Sequence, residues 1–285
     1  VEPYYTHIRH GRPPTPELLD ELRERYRLVG GRTPLSEISE ATRSALEKRL
    51  NSGGGRWRVF LGMKHWRPWI RDAVEQMSRE NITNAVGLVL APHYSSMSIA
   101  QYYGYVDDAQ KSLGSNIRID RIDSWHLWPT YLASVASRIR AQLAEFPEPA
   151  TVTVLFTAHS LPQKILEQDD PYPEQLRETS EALVAMLDLP HWTFSYQSAG
   201  RTSDPWLGPD IVDTVNDLAD QGVQDILVAP IGFVSDHLEI FYDIDHEAKE
   251  TADARGITLR RTEMLNSNPD FVDGLAQLVR AQMLV

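Results

Sequence analysis

Cysteine is absent from the 285 residues. That excludes disulfides, thiolate zinc sites and any iron–sulfur cluster held by this chain. A metal bound here must meet His, Asp, Glu or Tyr. Long apolar runs are also missing: none approaches the ~20 residues that a membrane-spanning helix needs, so no membrane span is expected. Positive charge is short, with a formal net charge of −12. An acidic chain repels phosphate backbones, so nucleic acid is not an expected partner, whereas a metal cation would be attracted. Neither G-x-G-x-x-G nor G-x-x-x-x-G-K-[ST] occurs, and no G-x-S-x-G elbow is present. His246-Glu247-Ala248-Lys249-Glu250 starts like a zinc-protease helix, but Glu250 stands where the second histidine is needed. Val1-Glu2-Pro3-Tyr4 shows no basic-then-apolar export pattern. A cytoplasmic location is expected.

What is there describes a globular chain, 42% hydrophobic and 24% charged. Apolar stretches of strand length alternate with helical patterns. Helices are expected over 16–29, 36–50, 69–80, 98–113 and 130–145, with strands at 57–61, 85–90 and 117–122. Phe146-Pro147-Glu148-Pro149-Ala150 reads as a linker. The scheme then repeats, with strands at 152–156, 192–196, 225–229 and 258–261 and a last helix over 269–283. Short buried strands alternating with helices indicate an α/β fold with mainly parallel sheets. The domains expected are 1–148, 149–267 and a terminal helical segment 268–285. Four strands in the second half against three in the first suggest that one further strand precedes Val1, and the opening residues read as a loop.

Ligand sites in such sheets lie beyond the carboxyl ends of the strands. Three segments leave those ends with unusual chemistry. Thr157-Ala158-His159-Ser160-Leu161-Pro162 presents a histidine, although a loop histidine bonded to backbone would look the same. From Ser235 to Glu247, carboxylates Glu239, Asp243 and Glu247 fall at i, i+4 and i+8 among Ile240, Phe241 and Tyr242. On a helix they form one slowly drifting stripe. Like charges at that spacing repel by a few tenths of a kcal/mol per pair, about 0.2–0.5, and a cation would reverse the penalty. A solvated acidic face is the plainer explanation, but it does not account for the interleaved aromatics. Gly62-Met63-Lys64-His65-Trp66 offers a cation, an imidazole and an indole. Basic residues are dense from Arg9 to Arg67, which suits an anionic small molecule or simply solvated helix faces.

Together these segments resemble the ferrochelatase family, especially its soluble bacterial type acting on coproporphyrin III. The resemblance is carried, in order along nearly the whole chain, by seven stretches. They are Tyr4 to Arg12 (YYTHIRHGR), Val29 to Leu35 (VGGRTPL), Leu90 to Ser95 (LAPHYS), Thr157 to Pro162 (TAHSLP), Tyr196-Gln197-Ser198, Asp204 to Pro209 (DPWLGP) and Gly232 to Glu239 (GFVSDHLE).

The resemblance implies two Rossmann-like domains in the chelatase fold, a porphyrin cleft between them, and a last helix packed back on the first domain. It implies insertion of Fe2+, as substrate, into coproporphyrin III or protoporphyrin IX, a lyase reaction of haem biosynthesis, and a monomer is expected. His159 and Glu239 become the catalytic and metal-handling pair. Asp243 and Glu247 continue an acidic path to an outer metal position, with Arg25 beside it, and their hard oxygens also suit Mg2+. Arg9, Thr33 and Tyr102 correspond to positions that meet propionates or line the cleft, and Lys64 and His65 to its wall. Trp206 belongs to cleft architecture. One departure is that the family's first strand carries a tyrosine facing the metal, and nothing here corresponds to it.

The chemistry agrees with such parts. Two pyrrole protons must leave as a hydrated ferrous ion sheds water, so a base near neutral pH is needed beside weak imidazole and carboxylate ligands. Two alternatives stand beside this reading: a related cobalt or nickel tetrapyrrole chelatase, and a non-catalytic haem or metal carrier. A periplasmic-type binding protein is disfavoured by the missing export pattern.

Overall fold

The structure is a computed structural model that describes residues 1–9, 11–200, 202 and 204–283. Helices α1 (Glu2–Ile8), α2 (Pro16–Leu28), α3 (Leu35–Asn51) and α4 (Ile70–Arg79) precede a parallel pair of strands. These are β1 (Asn84–Leu88) and β2 (Arg118–Ile122), joined through α5 (Ile99–Leu113) and registered Asn84 to Arg118 through Leu88 to Ile122. Helix α6 (Pro129–Leu143) leads into a four-stranded parallel sheet ordered β4-β3-β5-β6. Its strands are β3 (Thr153–His159), β4 (Trp192–Gln197), β5 (Asp225–Pro230) and β6 (Thr258–Arg261), linked by α7 (Tyr172–Leu187), α8 (Ile211–Asp220), a π-helix (Ile240–Ala248) and α9 (Lys249–Ala254). Helix α10 (Pro269–Gln282) closes the chain.

The central strand β3 shows why this sheet forms. Thr153 through Ala158 are all buried. Both its faces are covered by helices, so its residues read as a continuous apolar run rather than an alternation. Burial continues into α10, where Phe271, Leu275 and Val279 join the same core as Phe156, Leu227 and Ile139. Helix α10 packs on α3 and α6. Its edges are fastened by Arg138 to Asp270 at 2.8 Å, Arg49 to Asp273, and Arg280 donating to the carbonyls of Arg49 and Leu50.

Three local expectations need correction. Residues 2–8, expected as a loop, are helical, with Pro3 in the first turn where its missing N–H costs nothing. Strand β3 runs on to His159, so this histidine ends the strand instead of following it. Residues 57–61, expected as a strand, join no ladder among the described residues. Their backbone bonds go to side chains of α3 instead. Asn51 bonds both N–H and C=O of Trp57, Glu47 accepts from the Val59 N–H, and Arg43 donates to the Val59 carbonyl. A cavity of about 550 Å3, lined by Trp57, Val59, Leu61, Val86 and Leu88 among others, borders both this segment and β1.

The two halves also meet through polar contacts. Asp170 accepts from Ser95, from Ser96 and from the Ser96 N–H, and Gln175 accepts from the Tyr94 N–H at 2.7 Å.

Candidate active site

His159 is the last residue of β3, beside Gln197 at the end of β4. Its position is held twice: the Tyr172 hydroxyl donates to the His159 carbonyl at 2.9 Å, and the Ser160 N–H donates to the Gln197 carbonyl at 2.7 Å. The ring's Nδ1–H donates to the Ser160 carbonyl. A carbonyl can only accept, so this bond sets the tautomer and leaves Nε2 facing Glu239.

Glu239 comes from the segment that enters the π-helix. Its backbone carbonyl accepts from the Gln197 amide at 3.3 Å, and the Gln197 oxygen accepts from buried Thr157 at 2.8 Å. A buried side-chain chain thus ties β3, β4 and the π-helix entry together. The Glu239 Oε2 lies 3.6 Å from His159 Nε2 and 3.5 Å from His237 Nε2. His237 is pinned in the same manner, its Nδ1–H donating to the Ser235 carbonyl at 2.9 Å. Phe233 stands between the two imidazoles, 6.3 Å from His159 and 4.7 Å from His237 by ring centroids.

The electrostatics follow from this packing. Desolvation opposes the Glu239 charge, but His159 and His237, with hydrogen bonds from His237 and Ser198, outweigh it and hold the carboxyl down to about 2. Burial likewise opposes a charge on His237, yet the bond to and charge of Glu239 raise its affinity for a proton. Asp243 goes the other way. Burial and then the charge of Glu239 push it up to about 7, against a hydrogen bond from Ser198 and the nearby Arg25.

Four of the expected residues therefore form a continuous row. Asp243 is buried one turn beyond Glu239. Arg25 reaches it from α2 at 3.9 Å, bonds Glu21 at 3.1 Å and covers the Tyr242 ring at 4.5 Å. Glu247 closes the row, near enough to Asp243 and Tyr242 to raise both. Asp243 and Glu247 sit on a π-helix, with Glu239 at its entry, rather than on the α-helix assumed; π-helical turns are wider and recur at functional sites.

Lys64, His65 and Tyr102 come from the first half of the chain. Lys64 Nζ donates to Gln101 at 2.6 Å and lies 5.6 Å from the Tyr102 ring centre, and burial lowers its proton affinity. His65 meets His7 of α1. Arg9 lies over the Tyr5 ring at 5.8 Å with its Nε buried and without a hydrogen-bond partner. Thr33 is half-buried in the turn between α2 and α3. His10 lies outside the described residues.

Sequence reasoning gave no role to three residues that the fold brings here. His237 lay in a quoted stretch, but nothing in its spacing foretold that it would share Glu239 with His159. Ser198 donates to Asp243 and stands beside Glu239 from a left-handed backbone, φ +61°. Tyr4 is close enough to Glu239, Tyr26 and Tyr102 for burial and their charges to raise it strongly. No group of three His, Cys, Asp or Glu converges on a single metal position among the described residues. Such a sparse arrangement suits an ion that must be released.

The sequence profile of ferrochelatases matches residues 2–283. The chain belongs to the ferrochelatase family. Ferrochelatases place ferrous iron in a porphyrin on the route to haem, which is a lyase reaction. The chain is 45% identical over 285 residues to the ferrochelatase of Herpetosiphon aurantiacus, covering 99% of this chain and 93% of that protein. It is 44% identical to the coproporphyrin III ferrochelatase of Geobacillus kaustophilus, over 98% of this chain and 90% of that one. A third relative, from Halalkalibacterium halodurans, is also a coproporphyrin III ferrochelatase, at 41% identity over 99% of this chain and 92% of its own. Among solved structures, SirB from Bacillus subtilis with Fe3+ superposes with a TM-score of 0.61 at 15% identity, covering 86% of this chain and 90% of SirB. At that identity the likeness shows the chelatase fold alone. No helix of the described ferrochelatase residues is long and apolar enough to cross a membrane.

Proposed function

We propose that this ferrochelatase receives its porphyrin between the wall of Lys64 and Tyr102 and the wall of His159 and Glu239, and that those last two residues handle the metal and the protons. The observation that carries the reading is the single carboxylate oxygen of Glu239 shared by two imidazole Nε2 atoms at 3.5 and 3.6 Å. Insertion exchanges one Fe2+ for two pyrrole protons. A carboxylate held ionised at the cleft floor attracts the ion, and His159 Nε2 is the base that takes a proton as the metal enters. Imidazole and carboxylate are suitable transient ligands for ferrous iron.

Asp243, Glu247 and the Ser198 hydroxyl supply the outer end of the path, with Arg25 balancing their charge. Those hard oxygens fit Mg2+ as well as incoming iron. Arg9, Thr33 and His65 are assigned to the porphyrin's carboxylates and the cleft wall. Coproporphyrin III is the favoured substrate because two of the relatives above carry that name. The enzyme is assigned to the cytoplasm as a monomer, with residues 1–148 and 149–267 as its two domains and 268–285 as the returning helical segment.

The test is anaerobic mixing of protein, Fe2+ and either porphyrin, followed by visible absorption. Turnover well beyond one equivalent, faster with coproporphyrin III than with protoporphyrin IX, is expected. A shift that stops at one equivalent would instead identify a carrier. His159→Ala should abolish insertion while porphyrin still binds. Wild-type rates in that variant would remove His159 from the mechanism.

A further inference from the structure

His7 and His65 lie 58 residues apart in sequence, yet their Nδ1 atoms face each other at 3.1 Å. One sits on α1 and the other in the turn after residues 57–61. Their rings meet edge-on, crossing at 73° with centroids 5.3 Å apart, rather than stacking. The aromatic neighbours hold both rings: Trp69 lies 4.9 Å from His7, and Tyr4 meets His65 edge-on at 6.4 Å. Both histidines are half-buried.

We propose that His7 and His65 form a binding site for one divalent transition-metal ion on the cleft wall, separate from His159 and Glu239. The geometry needs little adjustment. An ion about 2.0–2.1 Å from each nitrogen would span the 3.1 Å gap at an N–metal–N angle of about 98°. That falls between the adjacent-ligand angle of an octahedron, about 90°, and that of a tetrahedron, about 109°. Nitrogen donors suit Co2+, Zn2+ and Fe2+, and neutral imidazole binds them through either ring nitrogen. No group of three His, Cys, Asp or Glu forms among the described residues, and an ion held by two protein nitrogens would stay exchangeable. A shared proton would also place the two nitrogens at this distance. The two explanations differ because the metal requires both Nδ1 atoms unprotonated, whereas the hydrogen bond requires one of them to carry the proton. Because it joins α1 to the 63–69 turn, a bound ion would also clamp one edge of the cleft.

The site does not depend on the roles given to His159 and Glu239, and the test separates them. Co2+ is titrated into His159→Ala/Glu239→Gln protein, followed by its visible d–d absorption and by calorimetry. About one equivalent should still bind, with nitrogen-ligand absorption. Adding His7→Gln, or His65→Gln, should weaken that binding at least tenfold while the urea midpoint without metal stays within error. In the unmutated protein, Co2+ should shift or broaden the ring-proton NMR signals of both histidines together, a readout that requires no variant to fold. Equal Co2+ binding with and without His7, or His7 and His65 signals unmoved by Co2+, would overturn the proposal and leave a hydrogen bond between two imidazoles.

Discussion

Gly232→Ala is the sharpest test of how the fold aims His159. Gly232 follows β5, and its N–H donates to the Thr157 carbonyl at 3.1 Å. A methyl group there would lie 2.5 Å from the Ala158 Cβ, 2.7 Å from its Cα and 3.5 Å from the His159 nitrogen. Carbon atoms in contact prefer about 3.5–4.0 Å, so the end of β3 and the turn after β5 must part by about 1 Å. Overpacking of this kind costs about 1–3 kcal/mol. The same displacement moves His159 relative to Glu239, and a misplacement of about 1 Å near the reacting atoms can cost about 100-fold in rate. Urea unfolding should show that loss of stability, and insertion measured well below the unfolding transition should fall by about two orders of magnitude. Gly104→Ala is the control. It lies inside α5 with open space around its would-be methyl group, so it should gain about 0.5–1 kcal/mol from helix propensity without changing the rate. If Gly232→Ala keeps the wild-type insertion rate, the end of β3 does not set the position of the histidine.

Glu239→Gln should slow insertion far more than Glu247→Gln, because only Glu239 touches both imidazoles; equal losses would argue against a graded acidic path. Asp243 binds its proton more tightly folded, at about 7, than at its ordinary 3.8. Its contribution to stability is therefore complete below about 4 and is lost as pH rises through about 7. Asp243→Asn should flatten that part of the stability–pH curve, and an unchanged curve would refute the burial argument. Asp270 has the opposite sign: Arg138 holds it down to about 2, so its contribution is present above about 4 and disappears as pH falls towards 2. Asp270→Asn should remove that acid-side loss, measured by thermal unfolding between pH 2 and 5.

The sequence made the second half legible because its strands are buried on both faces and separated by helices of ordinary length. Strand β3 and β5 stand out as apolar runs for that reason. The first half was harder. Residues 57–61 have the composition of a strand, but composition cannot say whether a ladder partner is within reach, and here Asn51, Glu47 and Arg43 take their backbone groups instead. Residues 2–8 were missed because a helix of 7 residues offers barely two turns of periodicity. In the site, His159 and the carboxylate row could be found from strand ends and spacing. His237, Ser198 and Tyr4 could not, since each matters only through what packs beside it: a shared oxygen, a left-handed backbone turn, and the company of Glu239 and Tyr102.

Both imidazoles around Glu239 have one nitrogen permanently committed to a main-chain carbonyl, through Ser160 and Ser235. Neither ring can therefore serve as a wire that accepts hydrogen on one side and releases it from the other. Each ring can exchange hydrogen only at Nε2, the nitrogen that faces Glu239, so under the proposed roles that carboxylate stands at the single exit of both.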